Sequence, residues 1–158
     1  MSLLRWRGVV AVGLSILHVV AAAEACSCGT PPTPERALRE ADLVFRGRVT
    51  NITPVLQSGS TTESSSDPMV VEFEVNRVWK GAGKARVSLW TARSEESCGY
   101  PFEVGREYFV YSTQGLRKPA DNVPTLTTGL CTRTALIEGA EEDVTALGEG
   151  KEVAPEKQ

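Results

Sequence analysis

The sequence predicts a mainly β protein built on a small five-stranded Greek-key barrel, closed or partly closed, with one or two short helices. Three observations lead to this prediction. Apolar and polar residues alternate in several segments of strand length, and polar turns separate those segments. Four cysteines and an ordinary apolar content are typical of one small disulfide-bonded domain. A barrel is favoured because closure pairs the strand edges that an open sheet would leave exposed.

The first 25 residues have the pattern of a secretory signal peptide. Arg5 and Arg7 give a positive start, an apolar run covers residues 9–20, and Ala23-Glu24-Ala25 is a small-x-small cleavage site before Cys26. The run is shorter than a membrane span, which needs about 20 residues. We therefore expect export and a mature chain that starts at Cys26. The alternatives are an uncleaved anchor, a lipoprotein signal with acylated Cys26, and cleavage after Ala23.

The mature chain is expected to begin with a stiff arm followed by a short helix. Pro31 and Pro32 fix φ and prevent helix, so residues 26–32 should project in an extended form. Thr33-Pro34-Glu35 then provides an N-cap, a proline at the first helical position and an acid in the first turn. The pattern predicts a helix that ends at about Ala41.

Five strands are predicted after this helix, at residues 42–52, 69–79, 86–92, 106–113 and 125–131. The second has the clearest alternation, which places Val71, Phe73, Val75, Arg77 and Trp79 on one face. Residues 57–68 are a polar, low-complexity segment between the first two strands. We expect a flexible hairpin tip there, and a partner-contact loop is the alternative.

The C-terminal residues differ in composition from the barrel segments. Residues 140–147 predict a short acidic helix that ends at Gly148, and residues 149–158 predict a charged, disordered tail. The expected organisation is therefore a signal peptide over 1–25, one barrel domain over 26–138, and an acidic helix with a disordered tail over 139–158.

Composition excludes several function classes for the mature chain. The only histidine, His18, lies in the predicted signal peptide. The mature chain therefore cannot form a catalytic triad that uses histidine, and it lacks the commonest ligand of catalytic zinc. Without residues 1–25 the chain carries 15 basic and 19 acidic side chains, a net charge of −4, which gives no support for nucleic-acid binding. No glycine-rich phosphate loop occurs. We therefore expect a protein that is not an enzyme and has no cofactor of its own.

The four cysteines predict two disulfides in an oxidising compartment. Cys26 and Cys28 are too close in the chain to bridge each other easily, so they are expected to reach forward to Cys98 and Cys131. Each such link closes a long loop and would contribute on the order of 4 kcal/mol. Zinc bound by the four cysteines is the alternative, although metal sites favour two close pairs and only one is present.

A mature N-terminus at Cys26 has chemistry of its own. The free α-amino group and the carbonyl oxygen of this residue can chelate a metal ion in a five-membered ring. The pKa of such an amine is about 8, so a neutral, ligating fraction exists at neutral pH. The alternative is that the bridges only stabilise a small secreted barrel.

Several ordered segments resemble one known family. They are Cys26-Ser27-Cys28 followed by prolines, residues 41–49, Ser97-Cys98-Gly99, residues 105–110 and residues 128–131. In this order and at these separations, they resemble the inhibitory N-terminal domain of the tissue inhibitors of metalloproteinases. The resemblance implies the netrin-like form of the OB barrel and the pairings Cys26–Cys98 and Cys28–Cys131.

The resemblance also implies a mode of action and a partner. Cys26 would bind the zinc of a target metalloprotease through its amino and carbonyl groups, with the zinc supplied by the partner. Ser27 would point toward the specificity pocket on the primed side. The remaining implied contacts are Cys28, Gly29 and Thr30 along the protease cleft, and Glu96, Ser97 and Cys98 as the second half of the contact ridge.

We accordingly expect a secreted, monomeric metalloprotease inhibitor that binds no nucleic acid and, after signal cleavage, no membrane. Two other functions remain open at this point. One is a netrin-like extracellular binding or adhesion module without inhibitory action. The other is a lipid-anchored envelope protein, which would leave one thiol without a partner because Cys26 would carry the lipid. The location would then be periplasmic or membrane-attached.

Overall fold

A computed structural model describes residues 26–56, 60–64, 67–116 and 120–156. The predicted signal peptide and parts of the 57–68 loop therefore lie outside the described residues. The chain forms α1 (Pro34–Glu40), β1 (Leu43–Pro54), β2 (Met69–Lys80), β3 (Arg86–Thr91), β4 (Glu107–Gln114), β5 (Leu126–Thr127), β6 (Ala135–Leu136), α2 (Glu141–Leu147) and β7 (Lys151–Glu152). Short 3-10 turns cover Glu95–Ser97 and Ile137–Gly139.

Five of these strands close into a barrel. β1 pairs with β2 on one side and with β4 on the other, β2 pairs with β3, and β5 joins β3 to β4. All of these pairings are antiparallel except the one between β3 and β5. The prediction of a mainly β, closed five-stranded barrel with two short helices is confirmed.

α1 begins and ends where the sequence predicts. The hydroxyl oxygen of Thr33 accepts a hydrogen bond from the amide of Arg36 at 3.4 Å, and Pro34 occupies the first turn, where its missing N–H costs no helical bond. Ala37 and Ala41 are buried against the barrel. The helix thus covers one face of the barrel directly after the N-terminal arm.

The second strand departs from strict alternation at its end. Val71, Phe73 and Val75 enter the main core as expected, but the next core residue is Val78, while Arg77 is half-buried. Register shifts between β1 and β2 cause this change, because a bulge moves the following side chains to the opposite face. Trp79 packs on a second apolar cluster, with its ring centroid 4.4 Å from that of Phe109.

Two further expectations about the C-terminal half were wrong in detail. The predicted fifth strand over 125–131 is only two residues long, and the chain after it turns toward β6, which pairs with β4. The tail is not disordered where the structure describes it, because β7 pairs with β2 and Val153 packs against the main core. α2 ends at Leu147 as predicted, with Gly148 as its C-cap.

Candidate functional site

The N-terminal arm, residues 26–32, lies on the surface and is fixed by two disulfides. Cys26 is bonded to Cys98 and Cys28 to Cys131, with Cα–Cα distances of 5.2 and 5.1 Å. Cys26 is partly exposed, and residues 27–31 are exposed. The arm is therefore accessible to a partner over most of its length while its first and third residues are tied to the barrel.

The loop that receives Cys26 has a defined backbone. Residues Glu95–Ser97 form one 3-10 turn, and Cys98 follows in the left-handed region with φ 63° and ψ 19°. The amide of Cys98 donates to the carbonyl of Glu95 at 3.0 Å, and the amide of Gly99 donates to the carbonyl of Ser94 at 2.8 Å. These bonds close the turn and present Glu95, Glu96 and Ser97 to solvent.

Two glycines allow this loop to approach its neighbours closely. A side chain at Gly99 would overlap the carbonyl group of Ala92, and one at Gly129 would overlap the carbonyl oxygen of Cys98. The amide of Leu130 donates to that same Cys98 oxygen at 3.0 Å. The Cys98 loop and the turn that contains Cys131 are therefore in direct backbone contact, which brings the two disulfides together.

The cysteine sulfurs form a tight group but not a metal site. The Sγ atoms of Cys26 and Cys131, which belong to different bridges, are 3.8 Å apart, and with Cys98 they lie within 4.8 Å of one another. All four cysteines are in disulfides. Because a thiolate is the zinc ligand, the four-cysteine zinc site considered from the sequence has no support in this structure.

The electrostatics of the exposed loop are set by its acids. The Glu96 carboxylate accepts hydrogen bonds from its own backbone amide and from the Ser94 hydroxyl, and these bonds lower the pKa of Glu96 below its usual value. Glu96 is therefore ionised at neutral pH. The loop next to Cys26 presents negative charge and hydroxyl groups to solvent.

Comparison with known proteins decides the family. The family model described as "Tissue inhibitor of metalloproteinase" matches residues 24–132, which include the arm, both disulfides and the barrel. The chain belongs to the tissue inhibitor of metalloproteinase family.

Two curated members of this family resemble the chain at low identity. "Metalloproteinase inhibitor 2" of Gallus gallus is 31% identical over 114 residues, which cover 69% of this chain and 48% of the relative. The protein of the same name from Canis lupus familiaris is 28% identical over 103 residues, 63% of this chain and 46% of the relative. The chain therefore spans about half the length of the curated relatives that it matches.

The structure brings the predicted contact residues of this family member into one ridge. Residues 26–30 lie on the arm and residues 96–98 on the facing loop, and the Cys26–Cys98 bridge joins the two segments. Within the described ranges, no hydrogen bond involves the main-chain nitrogen or oxygen of Cys26. These are the two groups that the metal-binding hypothesis requires to be available.

Three residues shape the ridge in ways that the sequence does not predict. Gly99 and Gly129 permit the close backbone contacts, and Arg133 donates from its guanidinium to the carbonyl of Pro32 at 2.9 Å. The glycines follow or precede cysteines by one or two positions, which is a weak sequence signal. Arg133 gives no such signal, because it is 101 residues from Pro32 in the chain.

Among the described residues, no helix is long and apolar enough to cross a membrane.

Proposed function

We propose that this protein is an exported inhibitor of zinc metalloproteases that acts through a mature N-terminus at Cys26. One observation carries the proposal: two disulfides join the exposed arm to the Cys98 loop and to the Cys131 turn, so that Cys26 lies in the middle of a rigid, solvent-facing ridge. Family membership supports the same function, since the curated relatives are named metalloproteinase inhibitors.

The chemistry of the proposal resides in the main chain of Cys26. Catalytic zinc in proteases keeps one coordination position for water or substrate. A free α-amino nitrogen and the carbonyl oxygen of the same residue can displace that water and bind the zinc as a two-atom chelate, because catalytic zinc can expand to five ligands. The pKa of the amine, ordinarily about 8, falls when the neutral form is bound to a metal. The arm is then not cleaved, because no scissile bond is presented to the partner's zinc.

The rest of the ridge would provide binding area and specificity. Ser27, with an exposed side chain, would point into the pocket on the primed side, and Cys28, Gly29 and Thr30 would follow the cleft like a bound peptide. Residues 96–98 would form the second contact segment. Rigidity favours binding because a preformed ridge loses less conformational freedom when the complex forms.

Export and exact processing are part of the proposal. A free amine at Cys26 requires cleavage after Ala25, whereas cleavage after Ala23 would leave Glu24 and Ala25 in front and abolish chelation. We propose a secreted monomer with no cofactor of its own, which binds the protease one to one.

Intact mass spectrometry of the natively exported, unreduced protein, combined with a titration against a panel of zinc endopeptidase catalytic domains, tests the proposal. We expect a chain that starts at unmodified Cys26, lighter than its reduced form by four hydrogen masses, and stoichiometric inhibition of at least one protease. A chain that starts at Glu24 or carries an acyl group on Cys26 would refute zinc binding by this N-terminus. It would favour a binding module in the first case and a lipid-anchored protein in the second.

A further inference from the structure

The side chain of Arg133 connects the base of the arm to α2. Its Nη1 donates to the Pro32 carbonyl at 2.9 Å, while Nε and Nη2 donate to the two carboxylate oxygens of Asp143 at 2.8 and 2.9 Å. Nη2 also donates to Glu142 at 2.7 Å. The Arg133 side chain is only 12% exposed and that of Asp143 only 4%. One guanidinium group thus binds a main-chain oxygen of the arm and two carboxylates of the C-terminal helix.

The acceptor that holds Arg133 is itself fixed. The Tyr111 hydroxyl, on the barrel strand β4, donates to Asp143 at 2.6 Å. Burial, together with this bond to a carboxylate, raises the pKa of Tyr111 above its usual value, and the bonds to Asp143 raise that of Arg133. Both groups stay protonated at any physiological pH. A bidentate guanidinium–carboxylate pair supported in this way has little freedom to rotate.

The arm has few contacts of its own between Cys28 and Pro32. The disulfides tie down Cys26 and Cys28, but Gly29 has open space around the position of a Cβ, and Thr30 and Pro31 are exposed. In the part of the chain that the structure describes, the bond from Arg133 to Pro32 is the only hydrogen bond to the main chain of residues 26–32. It therefore fixes the arm at the end opposite to the disulfides.

We propose that Arg133 is a positioning residue of the inhibitory arm and that α2, through Asp143, keeps Arg133 in place. The inference rests on the proposed function, because in it Arg133 sets the direction in which Gly29 and Thr30 enter a protease cleft. Arg133 itself contacts no zinc. It acts by restricting the backbone between Cys28 and Pro32 before binding.

The substitution Arg133→Lys separates positioning from charge. A lysine keeps the positive charge near Asp143 but lacks the planar fork that reaches the Asp143 carboxylate and the Pro32 carbonyl together. The freed backbone of one or two residues must then be ordered on binding, which weakens inhibition by about tenfold to a hundredfold. Asp143→Asn, which removes the charge that orients the guanidinium, should act in the same direction. Arg46→Lys is the matched control, because Arg46 pairs with Glu107 at 2.7 Å on the barrel, away from the arm.

Two readouts on the full mature chain test the inference. The first is the inhibition constant for the zinc endopeptidase that the wild-type chain inhibits most tightly, measured with a quenched fluorescent peptide. The second does not involve a protease: it is the ¹⁵N order parameter of the Gly29 and Thr30 amides. In wild type we expect values of about 0.85, and in Arg133→Lys values below about 0.6, with the values of the barrel strands unchanged. The control should leave both readouts at wild-type values.

The outcomes separate this inference from the proposed function. If no protease is inhibited by wild type, the proposed function fails, and the order parameters still decide whether Arg133 restrains the arm. Unchanged order parameters at Gly29 and Thr30 in both variants would overturn the positioning role. Mobile amides with an unchanged inhibition constant would overturn it as well, since the arm would not need the restraint. If Arg133→Lys does not fold, Asp143→Asn provides the same test.

Discussion

The connectivity of the two disulfides predicts how much each bridge contributes to the free energy of unfolding. Their sequence separations are 72 and 103 residues, but the bridges are not independent, because Cys28 is two residues from Cys26 and Cys131 is 33 residues from Cys98. With Cys26–Cys98 in place, Cys28–Cys131 closes an effective loop of only about 35 residues. In the chain-entropy model this loop corresponds to about 3.8 kcal/mol, whereas a single bridge in an otherwise open chain would give about 4.4 kcal/mol for Cys26–Cys98 or about 4.7 kcal/mol for Cys28–Cys131. Because the total for both bridges is the same in either order, Cys26–Cys98 contributes about 3.5 kcal/mol when Cys28–Cys131 is already in place.

We therefore expect the double substitutions Cys28→Ala/Cys131→Ala and Cys26→Ala/Cys98→Ala to lower the free energy of unfolding by similar amounts, about 3.8 and about 3.5 kcal/mol respectively. Equilibrium urea unfolding measures this loss, and the m-value should rise because the unfolded chain exposes more surface without the bridge. A loss below about 1.5 kcal/mol in either variant would refute the loop-closure reasoning. Clearly unequal losses would show that strain or local contacts, and not chain entropy, set the stability.

Two other predictions concern the contact loop and the barrel. Gly99→Ala would place a methyl group 2.6 Å from the carbonyl carbon of Ala92. We expect the free energy of unfolding, measured by thermal unfolding, to fall by about 1–3 kcal/mol and inhibition to weaken. If stability and inhibition were both unchanged, the loop would not need this close approach. The hydrogen bond from Arg46, with a second from Asn76, holds the pKa of Glu107 below its usual value of about 4.3, so its stabilisation is present at neutral pH and is lost as the pH falls through the folded-state pKa. Glu107→Gln should cost about 1 kcal/mol at pH 7, and the difference from wild type should shrink below about pH 4; a pH-independent difference would contradict this assignment.

The features that the sequence predicted well are those with a local physical cause. α1 followed from a capping threonine and a proline at its first position, and the alternation of β3 and β4 identified their bounds within one residue. The cysteines, the prolines of the arm and the family segments located the ridge. Each of these signals is contained in a short stretch of the sequence, so it can be read without knowing the fold.

The remaining features depend on contacts between distant parts of the chain. A bulge between β1 and β2 moved Val78 into the core in place of Arg77, and no local pattern reports a register shift in a partner strand. The charged tail orders because Trp79 donates from its ring nitrogen to the Gly148 carbonyl at 2.8 Å and packs against Gly150. β5, β6 and β7 have two residues each, too few for alternation to be visible.

The hydrogen bonds of Arg133 at the candidate site also join parts of the chain that are distant in sequence. The arginine is a common residue beside a short strand, and its partners lie about ten residues ahead in α2 and 101 residues behind in the arm. Only the fold brings Pro32 and Asp143 to opposite sides of one guanidinium group. A positioning role of this kind is therefore visible in the structure and not in the sequence.

The central claim is that the free amine of Cys26 binds the zinc of a target protease. The most direct test compares two purified proteins that differ by one residue, the mature chain that starts at Cys26 and the same chain with one added alanine in front of it. The claim predicts stoichiometric inhibition by the first protein and loss of inhibition, by at least about a hundredfold, in the second, with both disulfides and the thermal stability unchanged. Equal inhibition by the two proteins would contradict it, because the added residue converts the amine into an amide that cannot ligate the metal.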